Sequence, residues 1–250
     1  YSMNFDVGDS DYIEVPKNDT LGLVDTNFSI SIWINPDVSH QGLVMQNYSG
    51  ATGWGVYYQS GNIRFYDAPA WTTLTTINTS EWTHILIVGD YGGSNLLCYK
   101  NGVEVYNSSH TFTITESTEN VFIGSERGTG FFFDGDLSNI AIWNKVLTQD
   151  EILRVYNGGS PGDLSNLSPT SWWSLGADSY FNGSDWICPD IGANTNNGTS
   201  QNMGVANLVG NGPDSLANGT STNLNLGSDL IGNAPGSTGN AISINMNSLA

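Results

Sequence analysis

Two sets of residues in this 250-residue chain have types and spacing suited to chemistry. The first is carboxylates beside turns. Asp6, Asp9 and Asp11 fall close together near the amino terminus, and Asp134 and Asp136 flank Gly135. A calcium ion takes roughly six to eight oxygens from carboxylates and carbonyls, which loops rich in Asp, Asn and Gly supply. These five side chains are the candidate calcium ligands, against the plainer reading of turn-capping Asp. The second set is aromatic. Trp71 falls in the Asp67-Ala68-Pro69-Ala70-Trp71 loop, a run with no alternating partner, and Tyr66 and Tyr57 fall on adjoining strand-like runs. An indole face stacks on a sugar ring while nearby polar groups fix its hydroxyls. Trp71, Tyr66 and Tyr57 are therefore the candidate ligand-binding residues, with packing at a sheet edge as the competing reading for Trp71.

Catalysis finds less support. A glycosidase needs two carboxylates roughly 5–10 Å apart across the scissile bond, which on one strand means acidic residues two or four positions apart. No Glu-x-Asp-x-Glu or Glu-x-Asp-x-x-Glu run is present, and the Asp9/Asp11 and Asp134/Asp136 pairs sit beside turns. His40, His84 and His110 lie in no Gly-x-Ser-x-Gly or His-Glu-x-x-His setting. The glycine-rich Gly124–Gly130 run joins strand to strand with no helix after it, so it reads as a hairpin loop rather than a phosphate cradle. No catalytic residue is assigned, and the chain is not expected to be an enzyme.

Composition narrows the partners. Net charge is −18, and no Lys or Arg follows Arg154. Such a field repels nucleic-acid phosphate and anionic membrane surfaces, so neither is an expected partner. No apolar run approaches the roughly 20 residues of a membrane span. The chain starts at Tyr1, which leaves room for a leader or an upstream domain ahead of it. Cys98 and Cys188 leave open whether they pair.

The elements that must position these residues are mostly strands. Residues 2–143 alternate short β-rich runs with Gly, Asn, Asp and Ser, the spacing of an all-β sandwich. In Phe28–Ile34, Phe28, Ile30, Ile32 and Ile34 share one face and Trp33 takes the other. Trp54–Tyr58 and Asn62–Asp67 flank Gln59-Ser60-Gly61 as a hairpin. Trp82–Asp90 and Asn95–Val105 follow, the latter broken at Asn101-Gly102. Phe131–Phe133 reads as a strand, Asp134-Gly135-Asp136 as a corner, and Leu137–Trp143 as the returning strand. One helix follows: Thr148 and Glu151 form a capping box, Ile152, Val155 and Tyr156 make an apolar face, and Gly158 supplies a left-handed stop. Trp33, Trp54, Trp82 and Trp143 are expected in the core.

Several of these runs together resemble a known family. Asn4-Phe5-Asp6, Asp11–Pro16, Phe28–Pro36, Glu81–Ile85, Cys98–Gly102, Val121–Gly124 and Phe133–Asn157, in that order, are similar to the laminin-G-like, concanavalin-A-like jelly rolls. Val7 where the family tends to have Gly, and Leu137-Ser138-Asn139 where it prefers Ile-Asp-Glu, are departures. The resemblance implies a two-sheet antiparallel jelly-roll sandwich over 1–159, closed by the one short helix. It places His84, two residues after Trp82, as a packed histidine. Related jelly rolls often hold calcium, and pairing of the first strand near the last would bring Asp6, Asp9 and Asp11 towards Asp134 and Asp136.

Residues 160–250 differ in composition, with 15 Asn and 13 Gly in 91 residues. Asn197–Met203 recurs as Asn218–Leu224 and Leu208–Pro213 as Leu230–Pro235, a unit of 21–22 residues in two copies. This segment is expected to be an extended low-complexity acidic tail, with Trp172, Trp173 and Trp186 pinning it to the sandwich. Ser171–Leu175, Asp190 and Asn196–Thr199 resemble the strand that leads into such a jelly roll, although here they follow one. With the repeats and a Thr238–Ser243 ending, this arrangement is similar to structural proteins of marine bacteriophages. That similarity implies a non-enzymatic virion surface protein: a capsid decoration, fibre or tail-associated subunit. Such a protein would be homo-oligomeric, contact other virion proteins through the tail, and touch cell-surface polysaccharide. A secreted bacterial carbohydrate-binding module or adhesin domain is the alternative, and a glycosidase lacking the usual motif is a weaker third.

Overall fold

The computed structural model of the protein describes residues 1–37, 41–49, 52–176 and 178–213. His40, the second repeat copies (Asn218–Leu224 and Leu230–Pro235) and Thr238–Ser243 lie outside the described residues. The described chain belongs to one compact unit. Its strands are β1 (Ser2–Phe5), β2 (Tyr12–Val15), β3 (Phe28–Pro36), β4 (Gln41–Ser49), β5 (Thr52–Gln59), β6 (Asn62–Asp67), β7 (Ala70–Thr76), β8 (Thr83–Asp90), β9 (Asn95–Lys100), β10 (Val103–Ser109), β11 (Val121–Ile123) and β12 (Gly135–Trp143). Helix α1 (Gln149–Tyr156) follows, then β13 (Ser171–Trp173), β14 (Tyr180–Phe181), β15 (Trp186–Cys188), β16 (Gly198–Gln201) and β17 (Leu208–Val209).

These strands pair antiparallel into two sheets, the expected all-β sandwich. One has eight strands, ordered β10-β9-β8-β3-β12-β1-β17, with β13 also paired to β12; the other has nine, ordered β14-β15-β16-β2-β11-β4-β5-β6-β7. Alternation decides which side chains meet between them. Phe28, Ile30, Ile32 and Ile34 of β3 enter the inter-sheet core with Trp54, Val56 and Tyr58 of β5 and Ile63 and Phe65 of β6. Each such burial contributes about 1.5–3 kcal/mol. Trp33 turns to the other side, where it stacks on Tyr156 of α1 at 6.0 Å between ring centres. Helix α1 is capped as the sequence indicates: the Glu151 amide donates to Thr148 Oγ1 at 3.3 Å and the Thr148 amide to Glu151 Oε2 at 2.8 Å. Its left-handed stop begins one residue early, at Asn157, because an Asn tolerates that conformation nearly as well as Gly158 does.

Four expectations need correction. Residues 160–213 are not an extended tail beyond a boundary at 159: they add β13 and β17 to one sheet and β14, β15 and β16 to the other. Their Asn- and Gly-rich average conceals enough apolar residues to be buried, for Trp173, Leu175, Trp186, Cys188 and Met203 all enter the inter-sheet core. The first repeat copy lies partly in β16, beside β2, where Gly198 fits because a Cβ there would meet Ile13 Cγ2 at 2.6 Å. Phe131–Phe133 is not a strand, since Phe131 has φ 47° and breaks the extended path. Trp82 is only half-buried; its indole N–H donates to the Asn211 carbonyl at 2.7 Å at the end of the sheet. Trp71 lies in strand β7 rather than in a loop, and the turn before it holds the cis Ala68–Pro69 bond. Cys98 and Cys188 are both buried and unpaired.

Candidate functional site

The outward side of the nine-stranded sheet gathers the aromatic residues. Because Trp54, Val56 and Tyr58 point inward, Tyr57 points out; because Ile63 and Phe65 point inward, Arg64 and Tyr66 point out. The register sets Tyr57 opposite Arg64 and Tyr66 opposite Trp71. Trp71 packs against both tyrosines, with ring centres 5.1 Å from Tyr57 and 4.7 Å from Tyr66. The Arg64 guanidinium carbon lies 5.6 Å from the Trp71 ring centre. The structure thus brings together the three sequence-predicted residues, but in different roles. Tyr57 and Tyr66 are only 7% and 6% exposed, while Trp71 is partly open. Burial pushes both tyrosine hydroxyls above their usual range, so they serve as neutral supports under Trp71.

Two members of this face escape a search for Trp and Tyr alone. Phe131 packs edge-on against Tyr57 at 6.0 Å and is 51% exposed. The segment carrying it crosses β4 at Gly42, where a Cβ would meet the Phe133 Cα at 2.6 Å and the Phe132 carbonyl at 2.7 Å. Arg64 is the other, legible from the alternation that already placed Tyr66. Beyond them Phe132 and Phe122 flank Tyr12, at 6.4 and 6.1 Å, and extend the aromatic surface towards β2.

The carboxylates settle in a different part of the molecule. β1 pairs with β12, Asn4 opposite Asp136 and Phe5 opposite Gly135, so the first strand does lie beside the last. Asp136 is 3% exposed and is surrounded by carboxamides: Asn4 Nδ2 donates to Oδ1 at 3.0 Å, and Asn35 Nδ2 and Asn211 Nδ2 donate to Oδ2 at 3.1 and 2.7 Å. Burial raises its pKa against those hydrogen bonds. Asp11 Oδ2 accepts from the Asp6 amide and from Asn207, at 3.1 and 2.6 Å, while Asp11 Oδ1 is buried without a donor. Asp6 Oδ1 accepts the Gly8 amide at 2.7 Å, and Asp9 is exposed. Asp37, which sequence reading did not single out, has its pKa raised by burial and then by the charges of Asp136, Asp134 and Asp6. Among the described residues no three His, Cys, Asp or Glu side chains converge as a metal site. An ion held here would have to draw on carboxamide and backbone oxygens, and Asn35 Oδ1 is a buried one with no donor.

His84 is packed, as expected. It is fully buried between Trp33 and Tyr156, at 5.0 and 5.8 Å, with Nε2 2.9 Å from Ser31 Oγ. Burial holds its pKa down to about 3, so the ring is neutral. Its Nδ1 has no hydrogen-bond partner, so this Ser–His contact lacks the carboxylate of a hydrolytic triad. His110 Nε2 contacts Asp67 at 2.8 Å, and Asp67 also accepts from the Thr113 amide and hydroxyl. That network ties the crossing segment at residues 110–113 to the end of β6.

Residues 7–153, more than half of the chain, match the laminin G family model described as the concanavalin A-like lectin/glucanases superfamily. The chain belongs to this superfamily. A candidate carbohydrate binding protein from Bacteroides ovatus shares the fold of this superfamily member, with a TM-score of 0.62 at 17% identity, over 80% of this chain and 57% of that one. The chain thus spans little more than half the length of that protein. The CBM40 of the Ruminococcus gnavus IT-sialidase, solved bound to α2,3 sialyllactose, gives a TM-score of 0.49 at 15% identity over 62% of this chain and 95% of that one. The SAP-like pentraxin of Limulus polyphemus gives 0.43 at 17% identity over 58% and 81%. Curated proteins gave no match. A fold shared by lectins and glucanases does not choose between them; the residues at the site must.

Proposed function

We propose that this chain is a non-enzymatic glycan-binding domain of the concanavalin A-like superfamily, displayed on the virion surface of a marine phage. The observation that carries the glycan reading is the outward aromatic face: a partly open Trp71 held on Tyr57 and Tyr66, beside an exposed Phe131. Sugar rings present apolar C–H faces that stack on such platforms, and flanking polar groups fix their hydroxyls. A binding rather than hydrolytic role is supported by the sequence, which has no Glu-x-Asp-x-Glu or Glu-x-Asp-x-x-Glu run of the kind a glycosidase uses. The side chain of Glu14 accepts from Asn120 and that of Glu126 from Arg127, so each is engaged in a hydrogen bond within the fold.

The virion setting rests on the tail composition, the repeats and the resemblance to phage structural proteins. In it, contacts with other virion proteins and with further copies of this chain are assigned to the C-terminal residues beyond the described structure. A secreted bacterial module would carry the same site, and the genes flanking this one separate the two settings: capsid and portal genes against polysaccharide-utilisation genes.

A glycan array followed by calorimetric titration tests the glycan reading. Trp71→Ala is expected to weaken binding at least about 10-fold, since one well-placed aromatic contact contributes about 0.5–1.5 kcal/mol beyond its buried area. Binding unaffected by Trp71→Ala, or no glycan bound at all, rejects this face as the site. Calcium at the β1–β12 end is a separate part of the proposal, supported by the pairing that sets Asn4 beside Asp136 and by the buried Asn35 Oδ1 and Asp11 Oδ1 that accept no hydrogen bond. Calcium should then raise the melting temperature and a chelator lower it, because a ligand bound only to the native state stabilises it. A melting temperature indifferent to both removes the ion.

A further inference from the structure

Arg64 gives the aromatic face a chemical preference. We propose that the ligand is an acidic sugar, a uronic-acid-type residue whose carboxylate is received by the Arg64 guanidinium while its ring lies over Trp71 and Phe131; this rests on the glycan reading above. Among the described residues Lys17, Arg127 and Lys145 each contact a carboxylate, at 2.7, 3.4 and 2.7 Å, whereas Arg64, Lys100 and Arg154 contact none, and of these three Arg64 lies against Trp71.

Its surroundings hold the guanidinium in place and leave donors unused. Arg64 Nη1 donates to Gln59 Oε1 at 2.7 Å, Trp71 lies 5.6 Å away, and Nε is buried with no acceptor. A guanidinium has five N–H donors in a planar fork that matches the two oxygens of a carboxylate. A buried donor without an acceptor costs free energy that a bound anion would recover. The stacked indole reduces the rotamer freedom Arg64 would otherwise lose on binding. Charge also sets an upper limit. With a net charge of −18 on the chain and Glu126 near Tyr57, the face suits one carboxylate per bound ring and repels a densely sulfated polymer.

The test compares oligogalacturonate, its fully methyl-esterified form and a sulfated galactan by calorimetric titration with wild-type, Arg64→Gln, Arg64→Lys and Trp71→Ala proteins. Wild type is expected to bind the acid at least about 10-fold more tightly than the ester, as for one charge-assisted hydrogen-bonded pair. That preference should shrink as salt is raised, because exposed charge pairs are screened. Arg64→Gln should abolish the preference, bringing acid binding down to the level of the ester. Arg64→Lys should restore only part of it, since an ammonium lacks the fork. Equal wild-type affinity for acid and ester, or a preference that survives Arg64→Gln, overturns the inference while Trp71-dependent binding keeps the glycan reading intact. Tighter binding of the sulfated galactan than of the acid overturns the carboxylate assignment. Binding of none of the three, with other glycans bound through Trp71, rejects the acidic class alone; no glycan bound at all rejects both.

Discussion

On the outer side of the eight-stranded sheet, Leu86, Val88, Tyr99, Ala141 and Trp143 point away from the inter-sheet core and are roofed by Leu147, by Ile152 and Val155 of α1, and by Leu164 and Leu167. On the outer side of the nine-stranded sheet, Tyr57, Tyr66, Trp71 and Phe131 point away in the same manner, and Phe131 is left in solvent. Both faces are aromatic and both lie on twisted antiparallel sheets; the difference is the roof. Where the chain returns over a sheet, an outward tryptophan becomes a second core. Its indole N–H then finds a backbone partner, as Trp143 Nε1 does at the Leu167 carbonyl, 3.1 Å away. On the nine-stranded sheet Phe131 stays 51% exposed, and on the proposed reading that face receives a partner from outside. Aromatic content therefore does not mark a binding face until the covering elements are known.

The comparison is broken or sharpened by substitutions on each side. The largest effect is expected under the roof: Trp143→Ala should cost about 3–5 kcal/mol, read as a fall in the denaturant midpoint, while the folded fraction keeps its glycan affinity. A loss below about 1 kcal/mol would mean the roof is not a core. The next effect depends on pH. His84 is neutral in the folded chain down to about 3 and titrates near 6.5 when unfolded, so between those values the unfolded state binds the extra proton. Stability from this group is fully present above about 6.5 and is lost as pH falls, by about 1.4 kcal/mol per pH unit. Asp11, Asp37 and Asp136 work in the opposite sense, because their raised values favour protonation of the native state. The difference between wild type and His84→Gln isolates the histidine: the two stability curves should run parallel above pH 6.5 and converge as the pH falls towards 4, and curves parallel throughout would show that His84 contributes no pH dependence. The smallest stability effect is expected on the open face. Phe131→Ala should leave the melting temperature within about 2 °C, as surface substitutions usually do, and weaken glycan binding roughly 3- to 10-fold. A destabilisation like that of Trp143→Ala would make Phe131 a structural residue and erase the contrast.

The sandwich was legible because its signals are local and repeated. Alternation over Phe28–Ile34 assigns both faces of β3, and the box of Thr148 and Glu151 announces α1. The site was legible only in part. Trp71, Tyr66 and Tyr57 stand out by type, but their mutual stacking depends on the β5–β6–β7 register, and their burial depends on neighbours no linear pattern reveals. Arg64 follows from the same alternation that places Tyr66, but a lone arginine on a strand has no distinctive spacing to mark it. Phe131 reads as a strand residue, and only its positive φ and the passage over Gly42 lift it out. Residues 160–213 were obscured for a different reason: composition averages over a window, whereas a core needs only a few well-placed tryptophans.

The antiparallel pairing of β1 with β17, with Ser2 opposite Val209 and Met3 opposite Leu208, has a mechanical consequence. The first described residues and the last emerge at the same end of one sheet, where Asn211 accepts the Ser2 hydroxyl at 2.7 Å and reaches Asp136. Tension applied through Tyr1 and Pro213 is therefore directed across a short strand pair and peels it one rung at a time, instead of shearing all its hydrogen bonds together. The fastening at Asn211 is the first element to feel the load, and the two large sheets are strained only after it parts.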